Sequence, residues 1–306
     1  MAQVGVSIPN FPGVTPQLIP DYARRIEAGG FHAIWTLDRV VYDLPHAIPT
    51  LAACAAVTER VRIGTAILLL PLYQPAVLAK QLATIDLLSN GRLILGVGYG
   101  RRPDDFAAVG VPMKGRGGRA VEAVQIMRQA WAGEPVRFEG KHFTIDVGPI
   151  GPRPVQRPSI PIWMGGGHDN AVRRAARHAD GFVAGGALGP EGFAALWQRV
   201  KQALQDAGRS AVGFPVGCLA YFNVQDDREQ ARQELMGTLT RYYGPQFANA
   251  FKPDTMAVFG PPDECARNAQ AYIDAGVEHL VLCPTTVDPR QVDRLARDVL
   301  PRLRLG

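Results

Sequence analysis

Cysteine is scarce in this chain: Cys54, Cys218, Cys265 and Cys283 lie far apart and form neither a CxxC pair nor a Cys/His cluster. That argues against a disulfide framework and a structural zinc site, and no metal is expected. Long apolar runs are missing too. None approaches the roughly 18 residues of a membrane-spanning helix, and the N-terminus lacks the charged region and apolar segment of a secretion signal. A soluble protein in a reducing, cytoplasmic setting is expected. The net charge of +5, from 33 Lys and Arg against 28 Asp and Glu, is spread without a basic block or an aromatic-basic stripe. This disfavours nucleic acid as a partner and allows an anionic small molecule. The signatures GxSxG, HExxH and GxxxxGK(S/T) do not occur, and Gly96-Val97-Gly98-Tyr99-Gly100 is not GxGxxG because Arg101 holds the last place. A Rossmann or P-loop function is therefore disfavoured.

What the chain does have is a regular alternation of strands and helices. Val61 to Gly100 reads as strand, helix, strand: a β-branched and Leu-rich run over 61–70, a segment with Ala79, Leu82, Ala83, Asp86 and Leu87 at helical spacing, then a second apolar run from Arg92 to Val97. Strands are expected also at Gln3–Ile8, His32–Leu37, Ile160–Met164, Gly181–Ala184, Gly213–Val224 and His279–Cys283. Helices are expected at Pro16–Ala28, His46–Val57, Arg119–Trp131, Asn170–His178, Glu191–Ala207, Pro262–Ala275 and Pro289–Leu303. Arg101–Gly118 reads as a long loop, Val136–Ile145 as a small hairpin turning at Glu139-Gly140, and 148–161, with five prolines, as a surface connector. Asp226–Ala250 is longer than one crossover needs and predicts a helical insertion after strand seven. Eight strands in 306 residues close most simply into an α/β (β/α)8 TIM barrel, a single domain over 1–306. An open doubly wound sheet is the rival.

Ligands of such folds bind beyond the C-terminal ends of the strands. There, Gly165-Gly166-Gly167 precedes a helix and offers bare backbone N–H groups to a phosphate, or is a plain flexible turn. Gly185-Gly186 follows strand six. Asp38-Arg39 ends strand two, where Asp38 could bond a cofactor and Arg39 face an anion, or the two could form a local pair or a loop cap. Asp104 and Asp105, in the strand-four loop, read as a solvated face or as acid/base groups. His46 reads as a helix-start residue and His142 as part of the hairpin, away from the mouth.

Taken together, TERVRIGTAIL, QPAVLAKQLATIDLLSNGRLILGVGYG, DDFAAVG, PIWMGGG and RRAARHADGF resemble the luciferase-like family of flavin- and coenzyme F420-dependent oxidoreductases. The resemblance implies a (β/α)8 barrel, commonly a homodimer, holding F420 or FMN at its C-terminal face and transferring hydride to or from a small-molecule substrate. It implies that Asp38 contacts the cofactor and that Ala66 and Ile67 form a bulge with a non-proline cis peptide behind the ring. It further implies that Gly98, Tyr99 and Gly100 line the ring, and that Gly165, Gly166, Gly167 and His168 hold the phosphate. Arg39 stands where the sugar-phosphate dehydrogenases of the family carry a catalytic histidine, and Asp105 or Asp104 near their catalytic acid; Arg39 and Asp105 are the catalytic candidates. The loop after strand six, GGALG, lacks the Thr and Lys those enzymes use, which argues against glucose-6-phosphate. F420 is favoured over FMN. An FMN-dependent monooxygenase or a non-catalytic flavin-binding protein are the alternatives. The aromatic stretch Arg241–Met256 reads as a lid, a dimer face or packing.

Overall fold

The computed structural model describes residues 1–15 and 17–306. Its eight barrel strands are Gln3–Ser7, Ala33–Thr36, Arg62–Thr65, Leu93–Gly98, Ile162–Gly165, Gly181–Ala184, Val216–Val224 and His279–Pro284, strands one to eight. Each pairs in parallel with the next, and strand eight pairs with strand one, Gln3 opposite His279, so the sheet closes. The barrel reading holds and the open sheet does not.

Alternation along the strands separates two apolar regions. Val4, Val6, Ile34, Ile63, Leu93, Leu95, Ile162 and Leu280 pack outward against the helices. Ala33, Trp35, Ala66, Ile94, Trp163, Val183, Leu219, Tyr221, Val281 and Cys283 form the interior. Trp35 and Trp163, their rings 5.7 Å apart, occupy its middle. They fit because strands one, three and six carry glycine opposite them. A Cβ on Gly5 would lie 2.5 Å from Trp35 Nε1, one on Gly64 2.7 Å from the Trp35 ring, and one on Gly181 2.6 Å from Trp163.

Several expected boundaries move. The expected helix Pro16–Ala28 is observed as Leu18–Ala28, and its expected first residue lies outside the described residues. The loop after strand four holds a short helix, Pro103–Ala108, and the next helix starts early, at Arg116. Strand three is interrupted: the Ala66–Ile67 peptide is cis, as expected, and pairing with strand four resumes at Leu68–Leu69. The hairpin pairs Pro135–Glu139 with Thr144–Pro149 across a wider turn than Glu139-Gly140. The Glu122 carboxylate sets that turn by accepting from the backbone of Lys141, His142 and Phe143 (2.8–3.1 Å).

The insertion after strand seven breaks where one helix was expected. Arg228–Tyr243 is capped by Asp227 and stopped by Gly244 (φ 87°), and short helices Pro245–Ala250 and Pro253–Met256 follow. A further strand, Ala257–Gly260, pairs in parallel with Tyr221–Val224. It takes the side of strand seven that strand six leaves after Cys218.

Candidate functional site

Strand two delivers Asp38 and Arg39 to the C-terminal mouth, and both are buried, at 4% and 8% exposure. Asp38 Oδ2 accepts from Leu69 N (2.9 Å) and from the Tyr73 hydroxyl (2.9 Å), whereas its Oδ1 is buried without a partner. Burial raises the Asp38 pKa and the nearby Asp105 adds to the rise, against the two hydrogen bonds and His46, which lower it. Tyr73 Oη also lies 3.2 Å from His46 Nε2, and burial beside the Asp38 carboxylate pushes its phenol well up. His46 caps the helix Ala47–Val57, its Nδ1 accepting from Ile48 N at 3.3 Å.

A folded-state pKa above the ordinary 3.8 means that the folded protein holds the Asp38 proton more tightly than the unfolded chain does. That stabilisation is complete below the ordinary value and is lost as pH rises through the raised one. Asp38→Asn, which cannot ionise, should therefore gain stability relative to the parent as pH rises through that window, then level off. Thermal melts over a pH series read this directly, and a pH-independent difference would contradict it.

Arg39 Nε donates to Asp105 Oδ2 (2.8 Å) and Nη2 to Val41 O (3.1 Å), while Nη1 is buried and unpartnered. Its guanidinium lies 5.6 Å from the Tyr42 ring centre and 5.7 Å from that of Tyr242. Asp105, 1% exposed, also accepts from the backbone of Val40 (2.9 Å) and Val41 (2.8 Å) through Oδ1. Both its oxygens are thus committed to the strand-two loop. In this arrangement Asp105 ties Arg39 and the backbone of Val40 and Val41 together. Asp104 is more exposed, 3.7 Å from Arg39 Nη2.

The glycines divide in two. Those of strand four are bare because the chain itself fills the space: a Cβ on Gly96 would lie 2.0 Å from Thr65 O, one on Gly98 1.8 Å from Ile67 Cδ1 and one on Gly100 2.8 Å from Phe106. Gly165 faces Val183 O at 2.7 Å and Gly166 the Ala171 Cβ at 2.8 Å, but Gly167 and Gly185 meet nothing within 4 Å. The backbone N–H groups of Gly166, Gly167 and His168 have no acceptor among the described residues, and they lie just before the N-terminus of the helix Asp169–His178. The His168 ring is exposed and caps that helix through Asn170 N (3.2 Å). Arg199 holds the loop from outside, donating to Gly167 O (3.0 Å) and to Asp169. Tyr99 is half-buried under Arg174, whose guanidinium is 5.5 Å from the ring centre, and burial pushes its phenol up to about 12.

Other groups escaped sequence reading. Asn10, just past strand one and 3% exposed, has both amide atoms unpartnered; its place at a strand's C-terminal end was the available signal. Tyr73 gave none. The Tyr221 and Tyr243 hydroxyls bond each other, and Tyr243, Phe247 and Phe251 stack in series at 4.1 and 5.7 Å. Arg101 lies over Tyr243 and Phe247, and Arg102 donates to Tyr242 O at 2.9 Å. The aromatic insertion thus packs onto the strand-two and strand-four loops. Among the described residues no group of three or more His, Cys, Asp or Glu could hold a metal ion, and no helix is long and apolar enough to cross a membrane.

Known proteins are similar to this chain over most of its length. An F420-dependent glucose-6-phosphate dehydrogenase of Amycolatopsis mediterranei is 29% identical, over 94% of this chain and 95% of its own. Its counterpart in Nocardia farcinica is 30% identical over 85% of this chain and 84% of its own. Two solved structures share the fold. An F420-dependent secondary alcohol dehydrogenase in complex with an F420-acetone adduct has TM-score 0.86 at 22% identity, covering 99% of both chains. The F420-dependent tetrahydromethanopterin reductase of Methanopyrus kandleri has TM-score 0.83 at 20% identity, also covering 99% of both. The family described as luciferase-like monooxygenase matches residues 3–279. With this match spanning the whole closed barrel up to strand eight, the chain belongs to the luciferase-like monooxygenase family and is one of its oxidoreductases.

Proposed function

We propose that the protein is an F420-dependent oxidoreductase that transfers hydride between the deazaflavin and a small organic substrate. The observation that carries this reading is the open cradle at the mouth: Gly167 and Gly185 leave side-chain space unfilled, next to three backbone N–H groups without acceptors. Such donors before a helix N-terminus suit a phosphate. The relatives named as F420-dependent support the choice of cofactor.

In this reading Gly165, Gly166, Gly167 and His168 would hold the phosphate through their backbone, and the ring would lie over the Ala66–Ile67 segment toward Gly98, Tyr99 and Gly100. The bound deazaflavin supplies the hydride chemistry. The chain positions and desolvates the partners. Arg39 Nη1, buried and unpartnered, offers a fixed donor to an anionic oxygen of ring or substrate. Asp105 keeps that guanidinium in place and is a positioning residue. Asn10 offers a donor and an acceptor at the neighbouring strand end. The aromatic insertion, with Tyr243 half-buried, excludes water from that side. Arg39 in place of a histidine, and GGALG without Thr or Lys, point to a substrate other than glucose-6-phosphate.

Titrating the purified protein with F420 and, separately, with FMN while following cofactor fluorescence tests the reading. Saturable quenching of F420 is expected, with FMN weaker. Tight FMN binding without F420 binding would replace it with an FMN-dependent monooxygenase.

A further inference from the structure

We propose that His46, Tyr73 and Asp38 form a proton relay from solvent to the substrate's reacting heteroatom, supplying or removing the proton that accompanies each hydride; this rests on the oxidoreductase reading above. The three groups connect surface and interior. His46 is exposed and Asp38 is 4% exposed. With His46 Nδ1 accepting from Ile48 N at 3.3 Å, the neutral ring carries its proton on Nε2, which faces Tyr73 Oη at 3.2 Å. The Tyr73 hydroxyl in turn donates to Asp38 Oδ2 at 2.9 Å. Every donor in the series points inward, and the series ends on a carboxyl whose other oxygen, Oδ1, is buried and unpartnered.

A buried acceptor with no partner is costly unless a ligand or a proton satisfies it. The charged and titratable groups facing Asp38 are His46, Tyr73 and Asp105. Burial and Asp105 favour its protonated form, and only His46 and the hydrogen bonds from Leu69 and Tyr73 oppose them. Asp105 itself has both oxygens committed to Arg39, Val40 and Val41. Of the two buried carboxyls at the mouth, Asp38 is therefore the one with an oxygen to offer.

When a substrate is reduced, hydride brings two electrons and one hydrogen to carbon, and the Asp38 O–H bond breaks as its proton passes to the heteroatom that gains charge. A solvent proton then binds His46 Nδ1 in place of the long Ile48 contact. The Nε2 proton moves to Tyr73 Oη and the proton of Tyr73 to Asp38 Oδ2; a half-turn of the carboxyl brings that proton to the place of Oδ1, and the exposed His46 ring, left protonated on Nδ1, returns to the Nε2 tautomer by proton exchange with solvent. One proton enters, one leaves, and none of the three residues changes oxidation state. Substrate oxidation runs the series backwards.

The test uses the cofactor-free protein, so it stands apart from the cofactor assignment. Infrared spectra over a pH series should show a carboxylic-acid C=O band that persists above the ordinary aspartate range and is absent in Asp38→Asn. On rapid mixing into D2O that band should shift quickly in the parent. In Tyr73→Phe and in His46→Asn, which keeps a good helix cap, the shift should slow by roughly 100-fold, the scale of losing one positioned proton-transfer group. Circular dichroism and melting curves confirm that each variant is folded, and either variant suffices if the other is not. No band dependent on Asp38, or equal exchange rates in a folded variant and the parent, would overturn the relay. Failure of F420 binding would leave that result untouched, and loss of the relay would leave the cofactor reading in place.

Discussion

Gly185→Leu is expected to melt like the parent and to lose F420 binding by on the order of 100-fold or more, equivalent to about 2.7 kcal/mol. The two halves of this result have separate causes. A Cβ at Gly185 meets nothing within 4 Å, and the residue is not among the glycines with positive φ. A side chain there strains nothing, so stability should stay within about 0.5 kcal/mol. It would nevertheless project into the space assigned to the cofactor. Gly167→Val should behave in the same way, for the same reason. Gly98→Ala gives the contrast: its Cβ would fall 1.8 Å from Ile67 Cδ1, so it should lose stability first and binding only as a consequence. Fluorescence titration beside thermal melts separates these cases. Parent-like F420 affinity in folded Gly185→Leu would place the cofactor elsewhere.

Asp105→Ala should cost about 3–5 kcal/mol, because it strands a buried guanidinium; for a chain of this size that is on the order of 10 °C in Tm. The pair is inaccessible to water, with side-chain exposures of 7% for Arg39 and 2% for Asp105, so solvent cannot substitute for the lost carboxylate. The N–H groups of Val40 and Val41 lose their acceptor in the same stroke. The double variant Arg39→Met, Asp105→Asn removes the charge and keeps a carbonyl for those N–H groups. It should regain part of the loss, which a double-mutant cycle in chemical denaturation would show as a coupling energy. A cost below about 1 kcal/mol for Asp105→Ala would mean that the pair is solvated and that Asp105 is free for chemistry after all.

The barrel was legible because its evidence is periodic: apolar runs alternate with helical spacing from Gln3 to Cys283, and local pattern decides such elements. The strand Ala257–Gly260 was not, since four residues between a helix and Pro261 carry no period of their own; only pairing with Tyr221–Val224 defines it. Asp38 and Arg39 were legible from their place at a strand end. What each bonds was not, because those partners come from far along the chain: Tyr73 is 35 residues from Asp38, and Asp105 is 66 from Arg39. The glycines show the same limit from another side. Sequence reveals missing side chains, but Gly96, Gly98 and Gly100 are bare to admit Thr65, Ile67 and Phe106, whereas Gly167 and Gly185 face open space. Identical letters thus serve internal packing at one place and a candidate ligand cradle at another.

The indole pair at the centre of the barrel has a consequence for how this sequence can drift. Trp35 rests against Gly5 and Gly64, and Trp163 against Gly181 and, at 3.5 Å, against the Cβ position of Gly217. In a close-packed interior, none of the three tightest positions can accept a methyl group while its indole remains. Backbone presses on the same positions, since a Cβ on Gly5 would also lie 2.7 Å from Ala33 O, one on Gly64 2.7 Å from Ile94 O and one on Gly181 2.9 Å from Pro215 O. A lineage that exchanges Trp35 for a smaller residue therefore still keeps Gly5 and Gly64, so the indoles should vary in descendants before the glycines do.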